Sequence, residues 1–193
     1  MLDSRRLALL GVLAAVNSVV RLMGAGFAGI ETAFALIILA AYVFGSRFGI
    51  ALGALTILAS SLMGGGVGPW LPFQMIATAL IGLGAGALPK PKSAKGKLAT
   101  LSIYAAVSSY VYGALLTSWT WPLFVGAGTS LSYSSAVGPL ENLWRFLQFE
   151  LVSGGLIWDT GRAITTIALI LLIGKALMTT LERAATRANY EDA

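Results

Sequence analysis

Leu7-Ala8-Leu9-Leu10-Gly11-Val12-Leu13-Ala14-Ala15-Val16-Asn17-Ser18-Val19-Val20-Arg21-Leu22-Met23 decides the fold, because its only charge is Arg21, close to the end of the run. A helix of about 17–25 mainly apolar residues crosses a hydrocarbon core of about 30 Å, so this run predicts a membrane span. The rest of the chain is made the same way. Over 193 residues it is 57% hydrophobic and 11% charged, whereas soluble domains carry about 25% charge. So few charges cannot cover a surface that faces water, which excludes a soluble enzyme. Disorder is excluded as well, since disordered chains are rich in charge and poor in apolar residues. The fold class expected is an all-α integral membrane protein.

Five further apolar runs follow, at about Thr32–Phe44, Phe48–Met63, Leu71–Leu88, Leu98–Trp119 and Leu156–Thr180. Turn-like breaks separate them: Gly24-Ala25-Gly26 with Gly29, then Gly45-Ser46-Arg47, then Gly64-Gly65-Gly66-Val67-Gly68-Pro69. Pro89 to Lys97 is a polar, basic linker, and residues 181–193 form a polar tail. The expectation is a single membrane-embedded domain, 1–193, with six transmembrane helices. Residues 120–155, low in charge and rich in aromatics, are expected to form a structured external loop between helices 5 and 6, with a short helix around Leu140–Leu151.

Lysine and arginine collect in cytoplasmic loops. With both termini inside, Arg5, Arg6, Arg47, Lys90, Lys92, Lys95, Lys97, Lys175, Arg183 and Arg187 face the cytoplasm, and only Arg21, Arg145 and Arg162 lie outside. The net charge of +5 is therefore a topology signal, not a nucleic-acid footprint. Ser4-Arg5-Arg6 before an apolar run has the look of an export signal. No soluble domain that needs export follows, so the run is read as a retained span.

Catalytic chemistry has little to work with. Without cysteine or histidine there is no thiol nucleophile and no usual metal ligand. No G-x-x-x-x-G-K-[ST] loop occurs, so the chain has no P-loop for ATP. Gly82-Leu83-Gly84-Ala85-Gly86-Ala87 fits a dinucleotide fingerprint nominally, but it lies inside an apolar run with no strand before it, and reads as close helix packing. The first run carries Ala8, Gly11, Ala15 and Ser18 at spacings of three, four and three, one stripe of a helix. In lipid such a stripe allows close approach of another helix, either of this chain or of a separate subunit.

The polar residues at membrane depth are the other signal, since charge near lipid is costly and faces a cavity or a partner. Asn17 and Arg21 close the first run, Glu31 opens the second, Gln74 lies one turn into the fourth, and Asp159 and Arg162 open the sixth. Glu141, Asn142, Arg145 and Glu150 fall in the external loop. Trp70, Trp119, Trp121, Trp144 and Trp158 all fall on the same side. This one-sided distribution suits an external pocket with flat stacking surfaces, as against a thick interfacial belt.

Gly66-Val67-Gly68-Pro69-Trp70-Leu71-Pro72-Phe73-Gln74-Met75, leading into Gly82-Leu83-Gly84-Ala85-Gly86, resembles the substrate-specific S components of energy-coupling factor (ECF) transporters. The first run is similar to that family's docking face, usually alanines four apart, although here the pair reads Gly11 and Ala15. Trp119-Thr120-Trp121-Pro122 and Trp158-Asp159-Thr160-Gly161-Arg162-Ala163 look like an actinobacterial subfamily, of the predicted cobalamin type.

The resemblance implies a bacterial, multi-pass plasma-membrane subunit that captures a vitamin or micronutrient from outside. It implies partners, a transmembrane coupling subunit (T) and two cytoplasmic ATPases, and release by toppling of the S component when ATP is hydrolysed. The chain itself needs no cofactor. On this reading the substrate site is expected from Asn17, Arg21, Glu31, Trp70, Gln74, Trp119, Trp121, Asn142, Arg145, Asp159 and Arg162. The docking face is expected from Ala8, Gly11, Ala15 and Ser18. A small membrane enzyme or scaffold without ATPase partners is the alternative.

Overall fold

Every expected apolar run becomes a helix in the computed structural model, which describes residues 4–24, 30–124 and 129–187. In order these are α1 (Ser4–Gly24), α2 (Ala33–Phe44), α3 (Ser46–Ser60), α4 (Leu71–Gly86), α5 (Ala94–Phe124), α6 (Pro139–Val152) and α7 (Gly155–Arg187). A π-helical turn, Ser61–Gly65, ends α3. No strand occurs among the described residues. The expected break at 25–29, the part of the cap at 125–128 and the tail from 188 onward lie outside the described residues.

Length separates the helices into two kinds. Four are long and apolar enough to cross a membrane: α1, α3 with its π-turn to Gly64, α5 to Trp121, and α7. At 1.5 Å per residue α1 spans about 31 Å and α7 about 50 Å. In contrast, α2 and α4 reach only about 18 and 24 Å, short of the core thickness. By length and composition alone four of the described helices qualify as spans, and α2 and α4 do not. The physical reason is clear for α2. Ala33, Phe34, Ile37, Ile38, Leu39, Ala40 and Ala41 are fully or almost fully buried. A helix that is apolar all round and buried all round belongs to the core, and α1, α3, α4, α5 and α7 enclose it.

The helices alternate in direction. Gly45, at φ 86°, donates its N–H to Ala41 O and turns α2 directly into α3. α3 and α4 then run antiparallel with their backbones nearly touching, because a Cβ on Gly49 would overlap the Gly82 carbonyl and one on Gly82 would overlap that of Gly49. Gly53 meets Thr78 and Gly86 meets Ser46 in the same way, while Gly84 on the other face makes room for the Tyr104 hydroxyl of α5. The Gly82–Ala87 run is therefore a helix-packing device, as its apolar setting implied. Polar groups bond across the same seams: Thr78 Oγ1 donates to Gly53 O at 3.2 Å, Tyr104 OH to Ile81 O at 2.7 Å and Ser46 Oγ to Leu83 O at 2.8 Å. Gly82→Ala is expected to cost about 1–3 kcal/mol through overpacking. A thermal melt in detergent reads it, and an unchanged midpoint would show that α3 and α4 part easily.

The charged residues gather by end. Arg5, Arg183 and Arg187 line one groove of about 570 Å³ between α1 and α7, and Lys97 pairs with Glu182 at 3.4 Å nearby on α7. The start of α1 and the end of α7 thus share one end of the bundle. Arg21, Glu31, Asp159 and Arg162 lie at the other.

Candidate functional site

At that second end, α1, α2, α5 and α7 bring a charged chain together. Arg162, on α7, donates to the carboxylate of Asp159 one turn before it, and to Ser109 O of α5 at 3.4 Å. Its guanidinium lies over the Tyr112 ring at 4.7 Å and 5.8 Å from the Phe34 centroid. Those two rings meet edge to face at 4.9 Å. A guanidinium is weakly hydrated and stacks on aromatic faces, so this place suits arginine better than lysine. Asp159 is buried, and Gly113 is what admits it, since a Cβ there would overlap the carboxylate.

Glu31 closes the cluster from the start of α2. Its Oε1 accepts from the Ala33 N–H at 3.2 Å, which meets one of the orphan donors of a helix N-terminus. Part of Glu31 reaches the surface, yet its carboxyl is crowded on almost every side. That desolvation holds the acid above its ordinary range, against the opposing pull of Arg21 and, more weakly, Arg162. Arg21 Nη1 donates to Ser60 Oγ at 2.9 Å, which ties the end of α1 to the end of α3, while its Nε is buried without an acceptor.

Asn17 is placed differently from its neighbour Arg21. It is fully buried, and its amide nitrogen donates to Ala33 O at 3.2 Å and Thr56 Oγ1 at 3.1 Å. Asn17 is thus a three-helix tie, with only its Oδ1 unsatisfied. Asn142 and Arg145 are likewise spent on the cap. Asn142 accepts from the Ser134 N–H at 3.0 Å and donates to Ser134 O at 2.9 Å. Arg145 pairs with Glu141 at 3.1 Å and donates to Ser132 O at 3.4 Å. Trp121 completes this unit: its Nε1 donates to Leu131 O at 2.8 Å and its ring meets Tyr133 and Phe146 edge-on.

The remaining aromatics divide. Trp119 stacks on Phe73 of α4 with centroids 3.7 Å apart and planes at 13°. Trp70 is 45% exposed and folds over Gly68, where a Cβ would strike its ring. Gln74, half-buried, follows one turn later on α4. Trp144 and Trp158 are exposed. The five tryptophans therefore do not line a single wall.

Phe34, Tyr112 and Ser109 join the charged cluster without having been expected there. Phe34 sits three residues after Glu31, one helical turn on, and that spacing was a readable signal. Nothing in the sequence marks Tyr112 against its neighbour Tyr110. Glu150, read only as a polar residue of the external loop, is 4% exposed with both carboxylate oxygens unbonded, and its seat is Gly155, one turn before Asp159.

The stripe on α1 also divides. Ala8, Gly11 and Ala15 are exposed, and nothing of this chain comes within 4 Å of a Cβ built on Gly11. Ser18 is buried and donates to Thr56 O at 3.1 Å. Three of the four residues thus present a small, unoccupied face, and the fourth belongs to the α1–α3 seam.

Among known proteins, the family model described as ECF transporter, substrate-specific component, matches residues 5–178. No curated protein and no solved structure gives a significant match.

Proposed function

The chain belongs to the substrate-specific component family of ECF transporters, and on that premise we propose that it captures a vitamin or micronutrient at the end of the bundle that holds Arg21, Glu31, Asp159 and Arg162. Members of this family are transporter subunits, not enzymes, and generally work with T and ATPase subunits. The observation that carries the reading is the charged cluster of half-buried Arg21, Glu31 and Arg162 around buried Asp159, since ionisable groups at membrane depth pair with one another and mark substrate pathways. It lies at the end opposite the basic groove of Arg5, Arg183 and Arg187. By the lysine and arginine distribution that groove faces the cytoplasm, so the cluster faces outward, α2 and α4 complete six spans within the bundle, and the protein resides in a bacterial plasma membrane.

Two sets of expected site residues take different roles in this reading. Arg21, Glu31, Asp159, Arg162, Trp70, Gln74 and the Phe73–Trp119 stack are the ligand-facing groups. Asn17, Asn142, Arg145 and Trp121 hold the helices and cap that surround them. Ala8, Gly11 and Ala15 dock on the coupling subunit, and toppling driven by the two ATPases releases the substrate inside. Cobalamin is the first substrate to test, on the strength of the aromatic cap and the subfamily likeness of Trp119-Thr120-Trp121-Pro122.

Vesicles that carry the complete complex should accumulate radiolabelled cobalamin or another vitamin only when ATP is inside. The absence of any vitamin uptake removes the reading. Replacing Trp70 and Gln74 together with alanine is expected to weaken substrate binding about tenfold, the loss of roughly 1.4 kcal/mol, with complex assembly intact. Isothermal titration on the purified subunit reads it, and unchanged affinity takes both residues out of the site.

A further inference from the structure

Helix α6 is built the wrong way round for a cap in water. Leu140, Leu143, Trp144, Leu147 and Leu151 are exposed on it, between 49% and 80% accessible. Their spacings of three and four put them on one stripe. Apart from Glu141 in its first turn, its charged and amide side chains are drawn toward the protein: Asn142 and Glu150 are buried, and Arg145 reaches back to Ser132 O. A surface helix in water does the reverse, with its apolar stripe on the core and its polar face in solvent. This polarity is favourable only where the medium outside is less polar than the protein within.

Three observations say what that medium is. The stripe forms a shallow groove of about 610 Å³, lined by Leu140, Leu143, Trp144 and Leu147, with Gly138 and Glu141 at its edge. Exposed apolar side chains continue along the chain on both sides of the short Ser153–Gly154 turn, with Leu151 and Val152 before it and Leu156, Ile157 and Trp158 after it on α7, a helix apolar enough to cross a membrane. And the one charge at that edge, Glu141 in the first turn of α6, is already neutralised by Arg145. Trp144 on α6 and Trp158 on α7 are both exposed, and tryptophan is the residue enriched where hydrocarbon meets headgroups.

We infer that α6 lies in the bilayer, at the hydrocarbon–headgroup boundary of the leaflet nearest Asp159 and Arg162, with its apolar stripe on lipid chains and its polar face turned to the protein. The loop between the fifth and sixth expected spans is then a leaflet-embedded roof instead of an aqueous lid. This inference needs residence in a membrane but does not depend on which substrate is carried, so failure of the uptake experiment leaves it standing.

The chain has no cysteine, so single variants can be labelled cleanly. Leu143→Cys, Leu147→Cys and Leu151→Cys, with Ser135→Cys in the cap as reference, would each carry a nitroxide in the full-length protein in phosphatidylcholine–phosphatidylglycerol vesicles. With the stripe about 5–10 Å below the surface, collisions with dissolved oxygen should exceed those with a water-soluble nickel chelate by roughly fivefold or more at the three leucine positions, and the ratio should invert at Ser135. Dominant nickel collisions at the leucine positions would make α6 an aqueous cap and overturn the inference. Low collision with both reagents would place a protein surface there, a second copy or a partner, and overturn it equally. A measurement free of labels runs beside it. Brominated acyl chains should quench the unlabelled protein more than Trp144→Phe, and equal quenching counts against the inference.

Discussion

Arg162→Met is expected to destabilise the protein by about 3–5 kcal/mol, the cost of leaving a buried charge without its partner. The variant keeps much of the side-chain volume and its contacts with Phe34 and Tyr112, so little of the loss is packing. What remains is Asp159, 3% exposed and pressed against Gly113. The carboxylate has no room to turn toward water, and Glu150, seated one turn away on Gly155, offers it no positive charge. Removing the acid as well should restore most of the stability. Asp159→Asn with Arg162→Met leaves a neutral amide, and replacing both members of a buried pair is often close to neutral. Substrate binding separates structure from function here, because neither the single nor the double variant retains the guanidinium. Recovery of stability without recovery of binding is the expected pattern, read by a detergent melt and a binding isotherm on the same samples. A cost below about 1 kcal/mol for the single variant, the usual range of an exposed pair, would mean that the cluster is wet in solution.

How much of this was legible in advance depends on the scale. Helix positions were readable because each apolar run is stopped by something physical: Gly45 with its positive φ, the glycine run before Trp70, the prolines and lysines of 89–97. The division of charge between the two ends was readable too, since arginine and lysine are few and their loops short. Direction around a helix axis was not. Asn17 and Arg21 are one turn apart and look alike in sequence, yet Thr56 and Ala33 consume the amide while the guanidinium reaches Ser60. The tryptophans show the same limit. Their side of the bundle follows from topology, whereas the stacking of Trp119 on Phe73 and the burial of Trp121 under Phe146 depend on which helices cross. The seats of the two inner carboxylates were least readable of all, because Gly113 and Gly155 act through atoms they lack. Only the crossing of α5 with α7, and of α6 with α7, gives those absences meaning.

Gly11→Leu is expected to cut ATP-driven uptake by about a hundredfold while leaving substrate binding unchanged. In lipid two helices gain little from burying apolar surface, so their association depends on close backbone approach over small residues. On the proposed docking, a leucine at the centre of the Ala8–Gly11–Ala15 face would hold the partner helix away, and a loss of about 2.8 kcal/mol in docking amounts to two powers of ten. The same substitution should not harm the subunit by itself. A Cβ at Gly11 meets nothing of this chain, and glycine inside a helix costs up to about 1 kcal/mol relative to a good helix former. A slightly higher melting temperature is therefore expected together with the loss of transport. Ser18 gives the contrasting case. Its hydroxyl bonds Thr56 O within the α1–α3 seam, so Ser18→Leu should lower the melting temperature and disturb transport only through the fold. Co-purification with the coupling subunit measures docking directly. Full recovery of the complex with Gly11→Leu would make the exposed stripe an ordinary lipid-facing surface and leave the docking face to be found on another helix.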